Sequence, residues 1–406
     1  MIPREHRRLI VLLGAATLFD GYDRSIATLA LPYIGRDLAA DESTLGFALS
    51  IVRAGALGSV LCGTLADRYG RRSVVIATVV GYTLATVATG FSVGITDFVA
   101  WQLVATIFLT AEVVLANVIV AEELPPDRRA SGIGLISALG AIGSSVAAAL
   151  FPLVHPTSWG WRGLYLIGAL PLVLIAFARR GLGETKRWAE IDASRAGRLR
   201  DLLAPGARSR FLFVGGALFL AMMTESPGFS FASWHATKVH HWTPGGVSAL
   251  IITASTAGFC GWILGGRLAD RYGRHAVAAV GLSVGGIAQM LFYNTTWLLP
   301  VMAAMILGNA TGMAVVYTYA TELFPTHLRA TARAWIGYLG VLGATAGLSL
   351  VGALAPLAGG SAPVLTGLAT CNLIAAAVLV LFLPESRGRE LEELAPEGEP
   401  GRKDRP

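Results

Sequence analysis

The feature that most constrains this sequence is a succession of about twelve stretches of roughly 20 predominantly apolar residues, the length at which a helix crosses a bilayer. They begin near residues 9, 44, 73, 97, 130, 161, 211, 246, 275, 297, 331 and 362. Of the 406 residues, 54% are hydrophobic and only 14% are charged, which is too few charges for a surface that faces water. The sequence therefore predicts an all-α membrane protein with twelve transmembrane helices.

A long polar loop divides the chain into two halves of six spans each. We predict an N-terminal six-helix bundle over 1–180, a cytoplasmic linker over 181–210 and a C-terminal six-helix bundle over 211–384. The tail, 385–406, is rich in charge, glycine and proline, so we expect a disordered cytoplasmic segment there.

An internal repeat relates the two halves. GSVLCGTLADRYGRR at 58–72 recurs 203 residues later as GWILGGRLADRYGRH at 261–275, and EELPPDRRA at 122–130 is echoed by ELFPTHLRA at 322–330. Because each half has six spans, both halves begin on the same side of the membrane, and the repeat is parallel about an axis along the membrane normal. A substrate is then expected between the halves, near the middle of the membrane.

The basic residues alternate between loops. They concentrate at 68–72, 128–129, 179–210, 271–274 and 329, and the intervening loops hold far fewer. Positive charge of this pattern marks cytoplasmic loops, so we predict that both termini are cytoplasmic, and it explains the net charge of +6 without nucleic acid as a partner. The three cysteines lie in apolar segments without paired spacing, and no metal site is predicted.

The repeated loop, GTLADRYGRR and GRLADRYGRH, resembles the best-known motif of the major facilitator superfamily. WRGLYLIGALP at 161–171, ETKRW at 184–188 and PESRGRELEEL at 384–394 resemble stretches of its sugar-porter and metabolite/proton symporter branches. The resemblance covers essentially the whole chain. It implies two six-helix bundles that rock to expose a central site alternately to either side.

The resemblance also implies a set of gating residues at the cytoplasmic ends of the helices, whose salt bridges hold the inside closed and break on opening. They are Asp67, Arg71, Glu122, Arg129, Asp270, Arg274, Glu322 and Arg329. The alternative is that these residues only orient the loops.

Charged side chains inside the predicted spans need a reason to be there, because each costs at least ~2.5 kcal/mol at the bilayer centre. The candidate proton-coupling residues are Asp20, Asp23, Glu112 and Glu225, and the candidate substrate-binding residues are Arg24, Arg53, Gln102, Asn309 and Tyr317. The repeat offset places Glu225 at the level of the acidic cluster of the first span. Apolar flanks disfavour the charged form of a carboxylate, which favours proton loading.

Our mechanistic hypothesis is that Asp23, with Glu112 or Glu225, carries a proton, while Arg24 and Arg53 bind an anionic group through their forked donors. The alternative is a structural use, in which Arg24 pairs with Asp20 and Arg53 with Glu112 as fixed internal salt bridges.

The family resemblance leaves the substrate open. DGYD resembles the first span of aromatic-acid/proton symporters, whereas YDRS resembles that of organic-ion symporters. Gln102 stands where metabolite/proton symporters usually have arginine, so either Arg24 and Arg53 have taken over that role or the substrate is not an anion. Asn309 and Tyr317 belong to a span that lines the cavity in this superfamily.

The predicted function is proton-coupled symport of a small organic solute, an organic anion such as a carboxylate or another polar metabolite, by a monomer in the bacterial inner membrane. Four intramembrane carboxylates against two arginines would suit a proton-driven exporter of drugs or organic cations, but span 5, ISALGAIGSSVAA, lacks the glycine-proline step of such antiporters. A third possible class of function is a transporter-like receptor or sensor, which binds its ligand without transporting it. Without a phosphate loop or a nucleophile elbow, the chain is predicted not to be an enzyme and to use no cofactor.

Overall fold

Helices make up the regular structure, as expected where lipid offers no hydrogen-bond partner to an open backbone. The computed structural model describes residues 4–60, 62, 71–123, 129–179, 199–204 and 207–387, and no strand occurs in these ranges. The twelve long helices are α1 Arg4–Asp37, α2 Glu42–Ala54 with its extension Gly55–Gly58, α3 Arg71–Gly90, α4 Ile95–Glu123, α5 Arg129–Val154, α6 Gly160–Arg179, α7 Arg208–Lys238, α8 Pro244–Tyr272, α9 Arg274–Phe292, α10 Leu298–Glu322, α11 Thr326–Ala358 and α12 Ser361–Phe382.

Each helix begins within a few residues of its predicted position, and the predicted all-α fold is confirmed. Seven helices of the described part of the chain are by themselves long and apolar enough to cross a membrane, namely those from α7 to α12 and the segment Ile95–Val114 of α4. The structure is therefore that of a multi-pass integral membrane protein. A break at Phe231 interrupts α7, and one at Ala369 interrupts α12.

The helix contacts repeat between the halves, as a parallel two-fold relation requires. In the first half α1 packs on α5, and α3 packs on α4 and α6. The second half repeats this with α7 on α11, and α9 on α10 and α12. The most extensive contacts between the halves, α2 with α11 and α5 with α8, also exchange under the repeat.

Glycines allow the closest of these contacts. A Cβ on Gly143 of α5 would lie 1.8 Å from the carbonyl oxygen of Leu18 on α1. A Cβ on Gly347 of α11 would likewise lie 2.3 Å from the carbonyl oxygen of Met223 on α7. Small residues of this kind let helix backbones approach in lipid, and the same device is used in both halves.

The two ends of the molecule differ in how the halves meet. We call the end at which α1 begins and α12 finishes the terminal end, and the opposite end, with the α1–α2 connection, the distal end. A hydrophobic core near the distal end takes residues from both halves, such as Leu45 of α2 and Phe231 of α7. A second core is built by the C-terminal half, with Leu218 and Val316 among its fully buried side chains.

Some predictions fall on residues whose placement is not described. The linker is described only at 199–204 and from 207 onward, and the tail only up to Arg387. The gating residues of the first half, Asp67, Arg71, Glu122 and Arg129, lie outside the residues whose side chains the structure describes. The proposed domain boundaries and this half of the gate stay predictions.

Candidate functional site

Hydrogen bonds across the two halves close the distal end. The Glu42 carboxylate at the start of α2 accepts the indole N–H of Trp234 at 2.6 Å and the backbone N–H of Ser361 at the start of α12. The Ser233 hydroxyl donates to the carbonyl oxygen of Thr28 on α1. Along α2 and α11, Ser43 and Ser50 donate to the carbonyl oxygens of Gly352 and Thr345. Helices α1 and α2 are thereby tied to α7, α11 and α12 between the distal end and the middle of α11.

Arg24 lies midway along α1, below this closure. Its Nε is 2.8 Å from Oδ1 of Asp20, so the predicted ion pair within the helix is present. The Arg24 side chain is nevertheless 51% exposed, against 15% for Asp20. Half-exposure of a guanidinium at mid-helix indicates that α1 borders an open space between the halves.

Arg53 of α2 faces the same space. It interacts electrostatically with Arg24 and Asp20 of its own half and with Glu225 and Tyr317 of the other half. The Oε2 atom of Glu225 is buried and has no hydrogen-bond partner, and the charges of Arg53 and Arg24 act on this carboxylate. The structure thus brings predicted residues from four helices together at the centre.

Asp23 takes a different direction from its neighbours on α1. It is 5% exposed, its Oδ1 has no hydrogen-bond partner, and its carboxylate interacts electrostatically with Tyr82 on α3. The charge of Glu112, only 2% exposed on α4, also acts on Tyr82. Asp23 and Glu112 therefore share a buried environment inside the N-terminal half, with Tyr82 between them.

Gln102 and Asn309 are not in the central space. Gln102 is 3% exposed and donates its Nε2 to the Thr89 hydroxyl at 3.3 Å, which uses it in the contact between α3 and α4. Asn309 accepts the Nδ2 of Asn372 at 2.7 Å between α10 and α12. Both are polar residues within predicted spans, and the direction of their side chains was not visible in the sequence.

The described gating residues of the second half meet at the terminal end. The Arg274 Nη2 lies 3.0 Å from Oδ1 of Asp270 and 2.9 Å from Oε1 of Glu322, which joins α8, α9 and α10. Arg329 instead donates its Nε to the carbonyl oxygen of Phe324. Among the described residues, the ion pairs of Arg274 lie within the C-terminal half.

Glu385, which sequence reasoning did not single out, completes this network. It accepts the backbone N–H groups of Arg274 and His275 at the start of α9, at 2.9 and 3.0 Å. Burial raises the pKa of this carboxyl, but the hydrogen bonds from His275, Arg274 and Arg387 outweigh it, and the pKa lies below its usual range. A carboxylate at a helix N-terminus is the signal that could have identified it.

Three further side chains lie beside the predicted ones. Trp262 of α8 has its ring centroid 5.8 Å from that of Tyr317, and the Arg333 guanidinium lies 5.5 Å from the Tyr317 ring centroid. Tyr82 was overlooked because it lies in an apolar span, and Arg333 because it follows Arg329 closely and looked like another loop charge.

Known proteins resemble this chain over nearly all of its length. A family model described as Major Facilitator Superfamily matches residues 13–261 and 213–403. The niacin transporter NiaP of Acinetobacter baylyi is 24% identical over 97% of this chain and 97% of its own length. The benzoate transport protein of the same organism is 27% identical over 87% of this chain and 84% of its own length.

Among solved structures, that of a D-xylose-proton symporter matches with a TM-score of 0.79 at 18% identity. The match covers 94% of this chain and 99% of that one. At this identity the likeness concerns the fold, and it agrees with twelve helices in two bundles.

Proposed function

Because the chain belongs to the major facilitator superfamily, whose matched members are transporters and not enzymes, we propose that it carries a small organic carboxylate together with a proton, by alternating access. The observation that carries this proposal is the central meeting of Arg24 and Arg53 with Glu225 and Tyr317 across the two halves. A site that both halves line is the place where a rocking motion changes access.

The charge balance of this centre suits an anion. Asp20 neutralises Arg24 at 2.8 Å, and Glu225 is the carboxylate of the opposite half that offsets Arg53. When Glu225 is protonated, the Arg53 guanidinium is left without a partner and can bind the substrate carboxylate with two parallel hydrogen bonds. Proton loading and anion binding then favour each other, which is the requirement for symport.

Asp23 is the second proton-carrying group in this mechanism. Its burial and its orphaned Oδ1 favour the neutral form, and Tyr82 links it toward Glu112. A neutral Asp23 also removes one negative charge from the vicinity of Arg24, which strengthens anion binding at the centre.

The relatives support a carboxylate as the cargo. The names of two relatives specify niacin and benzoate, and both are small aromatic carboxylates. The two central arginines supply the positive charge that such an anion needs, although Gln102 replaces the arginine usual in metabolite/proton symporters. The alternative left open by Gln102, a substrate that is not an anion, has less support.

The conformation and orientation follow from the same proposal. Since the closure lies at the distal end, the terminal end is the open one, and with cytoplasmic termini this is an inward-facing state. Because the relatives are bacterial, we propose that the protein lies in the lipid of the cytoplasmic membrane. We propose a monomer as the functional unit.

The proposed inner gate consists of Asp67, Arg71, Glu122 and Arg129 with Asp270, Arg274, Glu322 and Arg329. Asp270→Asn is expected to abolish uptake without preventing membrane insertion, because it removes an ion pair of Arg274 that orients the gate. Uptake and membrane abundance are measured together, with Asp97→Asn at the distal end as the matched carboxylate control. If Asp270→Asn takes up substrate at the wild-type rate, Asp270 is not a gating residue.

Transport by purified protein in liposomes tests the function directly. With the outside more acidic by one pH unit, radiolabelled nicotinate is expected to accumulate up to about tenfold, the limit set by one proton per substrate. Protein-free liposomes correct for passive entry of the acid. Accumulation that ignores the gradient excludes symport, and accumulation driven only by the opposite gradient identifies the exporter instead.

A further inference from the structure

We propose that Arg333, Tyr317 and Trp262 form a second binding station for an aromatic carboxylate, between the central arginines and the terminal opening. We call these three residues the mouth station. They come from α11, α10 and α8, so the station belongs to the C-terminal half alone. It rests on the proposed function, since it holds the same substrate one step before release.

Tyr317 connects the mouth station to the centre. The charges of Glu225, Arg24 and Arg53 all act on Tyr317, and so does that of Arg333. Arg333 lies near the start of α11, at the terminal end, whereas Arg53 packs beside the middle of α11, where Ser50 meets Thr345. A substrate that leaves the central arginines toward the terminal opening therefore passes the Tyr317 ring and then reaches Arg333.

The two rings offer a surface to a planar ligand. The Trp262 and Tyr317 ring planes are inclined by 32° with centroids 5.8 Å apart, and Trp262 is 48% exposed. Aromatic rings attract one another at centroid separations of about 4.5–7 Å. A ligand ring can lie on the exposed face of Trp262 while it contacts the edge of Tyr317.

Arg333 supplies the matching cation. Among the described residues it has a ring contact with Tyr317 at 5.5 Å and forms no salt bridge. Arg274, at the same end, has its Nη2 engaged by both Asp270 and Glu322. The Arg333 fork is thus available for a carboxylate, beside the rings that would contact the aromatic part of the ligand.

The mouth station has a directional consequence. In the state closed at the distal end it is reached from the terminal side, so its loss affects binding from that side. The central arginines are used from both sides. The side of the membrane from which binding is impaired therefore distinguishes loss of the mouth station from loss of the central arginines.

Counterflow of nicotinate in right-side-out and inside-out vesicles tests the mouth station. Arg333→Gln is expected to raise the half-saturating nicotinate concentration about tenfold where the terminal end faces the bath, the loss typical of one charge-assisted hydrogen bond. In the other orientation the change stays within about twofold. Arg333→Lys keeps the charge and should recover part of the loss, and Arg200→Gln, an exposed arginine of the linker, is the matched control.

The aromatic part of the station is tested by competition. On the terminal side, benzoate should compete with nicotinate better than cyclohexanecarboxylate, which has the same charge and a saturated ring. Trp262→Leu should reduce this preference several-fold, while Trp297→Leu, an exposed tryptophan at the start of α10, leaves it unchanged.

Three outcomes overturn the mouth station: equal effects of Arg333→Gln on both sides, no effect on either side, or an unchanged ring preference in Trp262→Leu. If the wild-type protein exchanges no carboxylate from either side, the proposed function itself fails. The two failures are therefore distinguishable.

Discussion

Replacing Asp23 by asparagine is expected to abolish accumulation driven by a pH gradient while exchange of substrate across the membrane continues. Asparagine has the shape of the protonated acid and cannot release a proton, so the carrier moves as if permanently loaded. Asp23 is buried and its Oδ1 has no hydrogen-bond partner, which is why we propose it as the proton carrier that this replacement removes. The internal-to-external substrate ratio should fall from about tenfold to one at a gradient of one pH unit.

Accumulation and counterflow are measured on the same vesicles, and Asp41→Asn is the control. Asp41 caps α2 by accepting the backbone N–H of Thr44 at 2.8 Å in an exposed loop, so its replacement should leave coupling unchanged. If Asp23→Asn still accumulates substrate in response to the gradient, Asp23 is not the coupling residue. Glu112→Gln and Glu225→Gln then identify which remaining carboxylate is.

Arg53→Gln is expected to raise the substrate concentration for half-maximal transport by roughly ten- to a hundredfold. A hydrogen bond to a charged group contributes about 1.5–3 kcal/mol, and glutamine keeps a donor without the positive charge. The half-maximal concentration of Arg53→Lys should lie between those of the wild-type protein and Arg53→Gln, because lysine retains the positive charge but cannot form two parallel hydrogen bonds. Arg36→Gln, an exposed arginine beside Asp37 at the distal end, serves as the control.

A double variant separates substrate binding from a structural role. In Arg53→Gln alone, the facing carboxylate of Glu225 loses its compensating charge, which could by itself impair the protein. Arg53→Gln with Glu225→Gln removes both charges together. Recovery of wild-type affinity by the double variant contradicts substrate binding by Arg53, and a persistent loss supports it.

The comparison of sequence with structure is clearest for the charged residues. The pair of Asp20 with Arg24 could be foreseen, because residues four apart on a helix are neighbours whatever surrounds them. The other suggested structural pair, Arg53 with Glu112, is less well supported, since Arg53 interacts with Glu225, Arg24 and Asp20. Spacing along the chain carries no information about which helix faces another.

The polar residues at mid-span show the same limit. Tyr317, Gln102 and Asn309 were equivalent candidates in the sequence, and the structure leaves only Tyr317 facing the central charges. The direction of a side chain depends on the rotation of its helix within the bundle. Neighbouring helices set that rotation, through contacts such as those at Gly143 and Gly347.

The sequence by itself determined the membrane-spanning helices, the parallel repeat and the level of each buried charge, because span length, repeat offset and the cost of charge in lipid are properties of the chain and its solvent. Only the tertiary structure decided that Arg53 faces Glu225, that Asp23 turns toward Tyr82, and that Glu42 closes the distal end onto Trp234. Those contacts join helices far apart in sequence. They depend on how two bundles rotate and meet, which no local pattern encodes.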